Sequence, residues 1–221
     1  MRIRFKKWAR PELEASKFYI DEPEKYKGKW RILFNNSNPI HLELGCGKGS
    51  FISQLACKRA NINYIAIDLV DAMLGLAKRN IESVYKEENK EINNVYITRY
   101  DIDRILNIFD ENDEIGRIYI NFCNPWPRGK HHKKRLTHSR QLNKYRTFLT
   151  NEGEIYFKTD NDNLFNDSIL YFKDAGFKVE KITYNLAGEK DFWNGESNIE
   201  TEHEKMFKEQ GIKIKALIAK K

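Results

Sequence analysis

The chain is poor in cysteine and proline and has no long apolar run, and each shortage closes off a class of protein. Its 3 cysteines, Cys46, Cys57 and Cys123, are odd in number and show no C-x-x-C spacing. That excludes a disulfide framework and a zinc ribbon, and leaves reduced thiols as the expectation. No stretch approaches the roughly 18 consecutive apolar residues that a membrane helix needs, and Met1-Arg2-Ile3-Arg4-Phe5-Lys6-Lys7-Trp8 lacks the apolar core of a secretion signal. A cytoplasmic protein with no membrane partner is expected. The most telling shortage is local. Between Asn121 and Asn151 there is no Asp or Glu, whereas Arg128, Lys130, Lys133, Lys134, Arg135, Arg140, Lys144 and Arg146 all fall there. A solvated face normally interleaves both signs, so a segment of one sign is suited to a polyanion. The net charge of +7 agrees with that reading.

What is present is a chain of 221 residues, 40% hydrophobic, long enough for one good-sized α/β domain. Short apolar runs at 40–44, 64–69, 95–100, 117–122 and 154–159 read as strands. Stretches of helical periodicity lie between and after them, at 51–59, 71–87, 102–109, 139–149 and 163–175. Strand and helix alternating in this way predict a mostly parallel sheet with helices on both faces. Two further strands, at 177–186 and 212–217, are separated by a polar stretch and are free to pair antiparallel at one edge. No repeat, low-complexity segment or linker interrupts the chain. The basic first 35 residues read as an arm or packing extension (1–35), ahead of a single catalytic-type domain (36–221).

Residues 121–135, Asn-Phe-Cys-Asn-Pro-Trp-Pro-Arg-Gly-Lys-His-His-Lys-Lys-Arg, leave the apolar run Ile118-Tyr119-Ile120 as a loop stiffened by Pro125 and Pro127. Asn124 offers an amide and Trp126 a flat surface, the means of holding a planar heterocycle by edge and face. A cationic run follows at once. Proline-rich turns and lysine runs also occur without function, so the absence of acids is what favours a nucleobase with its phosphates. Adjacent His131 and His132 lie among lysines that would repel a cation, so no metal is expected there.

A second motif, Glu43-Leu44-Gly45-Cys46-Gly47-Lys48-Gly49, follows the first strand and opens the first helix. Its glycines let the backbone turn sharply and approach a ligand at a helix N-terminus. The spacing is G-x-G-x-G, not the dinucleotide G-x-G-x-x-G, and Asp68 ends the next strand, where a carboxylate accepts ribose hydroxyls. This arrangement resembles the class I S-adenosylmethionine-dependent methyltransferases, a Rossmann-like fold with an antiparallel last strand. The resemblance implies S-adenosyl-L-methionine as cofactor, with Asp101 beside the adenine.

The Asn124-Pro-Trp-Pro loop, the His131 to Leu136 run, Phe157-Lys158-Thr159-Asp160 and Thr201-Glu202-His203-Glu204 together resemble the bacterial tRNA (guanine-N7)-methyltransferase family over nearly the whole chain, as does Trp8-Ala9-Arg10-Pro11. The resemblance implies transfer of a methyl group to guanine N7 at position 46 of the tRNA variable loop. It places Glu43, Gly45, Gly47, Gly49, Asp68, Asp101 and Asn124 around the cofactor, with Asn124 as the catalytic position. Arg128, Asp160, Thr201, Glu202, His203 and Glu204 fall to substrate, and Lys130, His131, His132, Lys133, Lys134 and Arg135 to RNA. The family carries Asp where this chain has Asn124. Guanine N7 has a free lone pair, so no base is obligatory, and the expected effect of the amide is on rate. Two other readings are an amino-nitrogen methyltransferase, whose Asn-Pro-Pro-aromatic loop is partly similar, and an RNA-binding module that has lost catalysis. The intact glycine loop and Asp68 argue against the second.

Overall fold

The computed structural model describes residues 5–221, so Arg2 and Arg4 of the basic N-terminus lie outside the described residues. The chain packs as two compact units, the first ending at Asp113 and the second running from Glu114 to Lys221.

In the first unit, β2 (Ile40–Leu44), β3 (Asn63–Asp68) and β4 (Val95–Arg99) pair in parallel, and the short β1 (Tyr19–Ile20) extends the β4 edge, also in parallel. All five residues of β2 are buried, the polar His41 and Glu43 as well as Ile40, Leu42 and Leu44, so the alternation in Ile-His-Leu-Glu-Leu does not mark a solvent-facing side. Helices α2 (Ser50–Lys58) and α3 (Asp71–Glu87) provide the crossovers, and α1 (Ala9–Glu14) packs on α3. Gly75 makes that packing close, because a Cβ there would come within 2.7 Å of the Trp8 ring. The Arg79 guanidinium lies over the same ring at 3.9 Å and pairs with Glu12 at 2.5 Å. Trp30 is fully buried, stacks on Phe109 and donates its indole N–H to the Ile108 carbonyl. Trp8, Glu12 and Trp30 thus pack within this unit.

In the second unit, β5 (Ile115–Asn121) pairs in parallel with β6 (Leu149–Thr159), and β8 (Lys215–Lys220) lies antiparallel between β6 and β7 (Lys178–Thr183). Helices α4 (Ser139–Phe148), α5 (Asp162–Asp174) and α6 (Glu202–Glu209) complete it.

Strand β6 begins at Leu149, five residues before the expected 154–159 run, and three further elements differ from expectation. The segment 102–109 is a kinked 3-10 turn over Ile102–Asn107, because the Asp101 carboxylate accepts the Asp103 N–H and tightens its start. The last strand lies three residues later than the alternating Ile212 to Leu217 suggested. It sits inside the sheet with both faces covered, so burial, not alternation, marks it. The polar stretch before it contains α6, whose Thr201-x-x-Glu204 start is a helix-capping signal.

Candidate functional site

The glycine loop occupies the carboxyl end of β2. Gly45, Gly47 and Gly49 all have positive φ, which L side chains adopt only with strain. The Gly45 and Cys46 N–H groups donate to the Ile67 carbonyl at 2.8 and 3.0 Å, binding the loop to the end of β3. Gly49 precedes α2 and cannot be larger, since a Cβ would come within 2.7 Å of the Ala77 side chain. Gly47 differs: a Cβ there would meet nothing within 4 Å, so its backbone faces open space at the front of the loop. That is the geometry of a cradle for a ligand, and α2 begins immediately behind it.

Asp68 joins this loop. One of its carboxylate oxygens accepts the Gly47 N–H at 2.9 Å and the other the Val70 N–H at 3.0 Å. A carboxylate has about four lone-pair positions, so acceptor capacity remains for a diol. Desolvation raises the Asp68 carboxyl above its ordinary value, against the pull of the Val70 and Gly47 amides. Glu43 is 2% exposed near the end of β2. Burial, then the Asp68 and Glu43 charges, push the Cys46 thiol well up, so it stays protonated and unreactive. Leu69, next to Asp68 in the chain, lines a cleft of about 380 Å³ whose other walls are mostly charged, formed by Arg10, Asp21, Glu24, Arg99, Asp101 and Arg104 with Pro23 and Tyr100. The helix N-terminus behind the glycine loop and the Asp68 carboxylate offer what a ligand with a carboxylate and a ribose diol needs.

The second unit carries the other motif. Asn121 ends β5, and both Phe122 (φ 51) and Trp126 (φ 41) adopt the left-handed backbone region. Two aromatic residues in that region within five positions mark a loop held in place by its surroundings. The Asn124 side-chain oxygen accepts the Trp126 N–H at 3.0 Å, closing an Asx turn around Pro125. The Trp126 ring meets Lys134 Nζ at 5.0 Å and the His131 ring edge-on at 5.6 Å, so loop and basic run fold as one surface. Desolvation pushes the Cys123 thiol up to about 12, which excludes it as a nucleophile near neutrality.

The basic segment divides into two groups. Arg128, Lys130, Lys133, Lys134 and Arg140 are exposed and His131 and His132 half-buried, whereas Arg135 is 2% exposed. Arg146 is half-buried and already engaged, donating to the Gly176 carbonyl and lying over the Phe177 ring. The polyanion-facing surface is therefore narrower than the sequence run, and Arg135, grouped with it by sequence, points into the protein.

Thr201 caps α6 by accepting the Glu204 N–H at 3.0 Å. Glu204 is buried and pairs at 2.8 Å with Lys158 of β6, whose ammonium also donates to the Ile199 carbonyl. Asn198 donates to the other Glu204 oxygen at 2.6 Å. These contacts were not legible in sequence, where Lys158 gave no signal of being buried. Glu202 and His203 are exposed, and the His203 ring stacks on Phe122 at 5.8 Å. Asp160 follows the end of β6, half-buried.

Comparison with known proteins places these motifs. The Methyltransf_4 family model, described as "Putative methyltransferase", matches residues 37–217. The tRNA (guanine-N(7)-)-methyltransferase of Clostridium botulinum (strain Alaska E43 / Type E3) is 58% identical over 219 residues, spanning 99% of this chain and 98% of its own. The protein of the same description from Clostridium beijerinckii (strain ATCC 51743 / NCIMB 8052) is 57% identical over 221 residues, 100% of this chain and 99% of its own. Among solved structures, the 16S rRNA methyltransferase KamB aligns with a TM-score of 0.61 at 13% identity, over 87% of this chain and 92% of its own. That likeness shows the class I methyltransferase fold, and the full-length identity to the curated relatives shows the rest: the chain belongs to the tRNA (guanine-N(7)-)-methyltransferase family.

Proposed function

We propose that this chain transfers the methyl group of S-adenosyl-L-methionine to N7 of guanine 46 in the tRNA variable loop, working in the cytoplasm. The observation that carries the reading is the full-length identity to proteins described as tRNA (guanine-N(7)-)-methyltransferases. The open glycine loop braced by Asp68 supports it.

Gly45, Gly47 and Gly49 and the α2 N-terminus would hold the amino-acid carboxylate of the cofactor, Asp68 its ribose hydroxyls, and Asp101 with the Leu69 cleft its adenine. Glu43 belongs to the same set. When bound, the cofactor supplies an electrophilic sulfonium methyl. The lone pair of guanine N7 attacks without prior deprotonation, so the protein's tasks are alignment and stabilisation of the positive charge that develops on the ring. Asn124 sits at the catalytic position. Arg128, Asp160, Glu202 and His203 present the side chains that face guanine, and Thr201 and Glu204 serve that surface by fixing α6. Lys130, Lys133 and Lys134, with His131 and His132, meet the tRNA phosphates.

The test is incubation of an unmodified tRNA transcript with enzyme and cofactor, followed by nucleoside analysis and position mapping. The expected product is 7-methylguanosine at position 46. A methyl group on an exocyclic amine would replace this reading with the amino-nitrogen one, and tRNA binding without any methylated product would make the chain a binding module.

A further inference from the structure

Arg135 is the one member of the basic run that the structure buries, and its guanidinium is used in three directions. Nε donates to the Pro125 carbonyl at 2.7 Å, one terminal nitrogen donates to Asp167 of α5 at 2.5 Å, and the other meets His132 Nε2 at 3.0 Å. The Pro125 carbonyl belongs to the same peptide group whose N–H, on Trp126, is accepted by the Asn124 side chain. That peptide plane is thus gripped at both edges, by Arg135 at its oxygen and by Asn124 at its nitrogen. The grip falls between two positive-φ aromatic residues, in a conformation the loop would not hold unaided. The brace is itself anchored. The Thr137 hydroxyl bonds Ser168 at 2.6 Å, which in turn bonds the Leu164 carbonyl, so the turn after Arg135 is fastened to α5.

Resting on the reading of Asn124 as the catalytic position, we infer that Arg135 is a positioning residue for methyl transfer. It sets the Pro125–Trp126 peptide, and through it the Asn124 amide, from inside the protein, and it does not contact tRNA phosphate. A lysine could reach the Pro125 carbonyl but could not hold Asp167 and His132 at the same time, since only the planar fork presents donors in three fixed directions.

The experiment compares wild type with Arg135→Gln, Arg135→Lys and Asp167→Asn, using the full chain and a tRNA transcript. Turnover at saturating tRNA, tRNA affinity across a salt series, and melting temperature are measured for each. Misplacing the loop should lower kcat on the order of 10- to 100-fold in Arg135→Gln. Arg135→Lys should recover part of that, and Asp167→Asn should lose a smaller share while Arg135 itself is intact. The slope of log K against log salt should stay parallel to wild type in all three. A flattened slope with unchanged kcat in Arg135→Gln would make Arg135 a phosphate ligand and overturn the inference. Wild-type kcat in Arg135→Gln or Asp167→Asn would also overturn it. If Arg135→Gln does not fold, Asp167→Asn and Arg135→Lys decide the matter. Inactivity of the wild-type enzyme on tRNA would instead count against the function proposed above.

Discussion

The rings of Phe122 and His203 lie 5.8 Å apart and within 19° of parallel. The first residue after β5 is therefore pinned to the first turn of α6, and Phe207 closes on the same ring at 5.9 Å. Phe122 holds a positive φ, and this contact is part of what keeps it there. Replacing His203 with Ala should cost about 0.5–1 kcal/mol of stability, the worth of an exposed aromatic pair, and should reduce turnover by more than the stability loss explains. His203→Phe should restore the stacking and the urea midpoint. Should it also restore turnover in full, the imidazole has no role beyond its ring face.

Asp68 is asked to brace the glycine loop and to bind the ribose. Asp68→Ala should weaken cofactor binding by about 1.5–3 kcal/mol, the usual range for charge-assisted hydrogen bonds. Its carboxyl is raised by desolvation, so acid should neutralise it at a pH above the ordinary 3.8. For a raised carboxyl the stability contribution is present below the unfolded value and lost as pH rises through the folded one. Cofactor affinity runs the opposite way, falling as acid neutralises the acceptor. Calorimetry of S-adenosylmethionine binding from neutral to mildly acidic pH checks this, and affinity in Asp68→Ala equal to wild type would remove Asp68 from the site.

Asn124 spends one lone pair on the Trp126 N–H. Aspartate can accept the same bond, so Asn124→Asp should preserve the turn while adding a charge that stabilises the methylated ring, keeping or raising turnover. Asn124→Ala loses both the turn and the site group, and kcat should fall with little change in cofactor affinity. Single-turnover rates on saturating tRNA separate these outcomes. An alanine variant as fast as wild type would take the catalytic position elsewhere.

How much of this was legible in sequence depended on what kind of signal each element leaves. Helix α3 runs Asp71–Glu87, as its periodicity said, and β2 covers Ile40–Leu44, as its apolar run said. The glycine loop was legible because backbone geometry demands particular residues. Charge runs report composition and not direction, so Arg135 could not be told from Lys134, and Lys158 could not be foreseen as the buried partner of Glu204. The Thr201-x-x-Glu204 start of α6 is a capping signal that the polar composition around it obscures. Short elements such as α1 and β1 exist through tertiary contacts at Gly75 and β4 and leave almost no local trace.

His138 caps α4 with its ring nitrogen, accepting the Arg140 N–H at 3.1 Å, and its ring lies 4.7 Å from that of Tyr171. Desolvation, then the charges of Lys133, Arg135, Arg140 and His132, lower it below its ordinary 6.5. The neutral form is therefore favoured in the fold. Its stability contribution should be fully present above pH 6.5 and lost as pH falls through the lower folded value. Asparagine caps a helix without titrating, so the urea midpoint of His138→Asn should depend less on pH than that of wild type across the mildly acidic range. Identical pH profiles would mean that protonation of His138 is not linked to folding.

The exposed lysines yield the sharpest prediction about tRNA. Lys130, Lys133 and Lys134 stand out from the surface, while Arg135 and Arg146 are engaged within it. Each phosphate contact steepens the fall of log K with log salt by roughly 0.7 to 0.9, so replacing these three lysines with Ala should flatten the slope by about 2. The glycine loop and Asp68 lie on another part of the chain, in the first unit, so cofactor affinity should not move and serves as the internal control. Sparing Arg135 matters, because its loss would unbrace the Asn124 loop and mix a positioning effect into a binding measurement. Parallel slopes for wild type and triple variant would show that the lysines are only solvated. The phosphate surface would then have to be sought in the remaining exposed cations, Arg128 and Arg140 of the same segment or Lys6 and Lys7 near the N-terminus, and could not rest on Arg10, which Glu14 and Asp21 already hold.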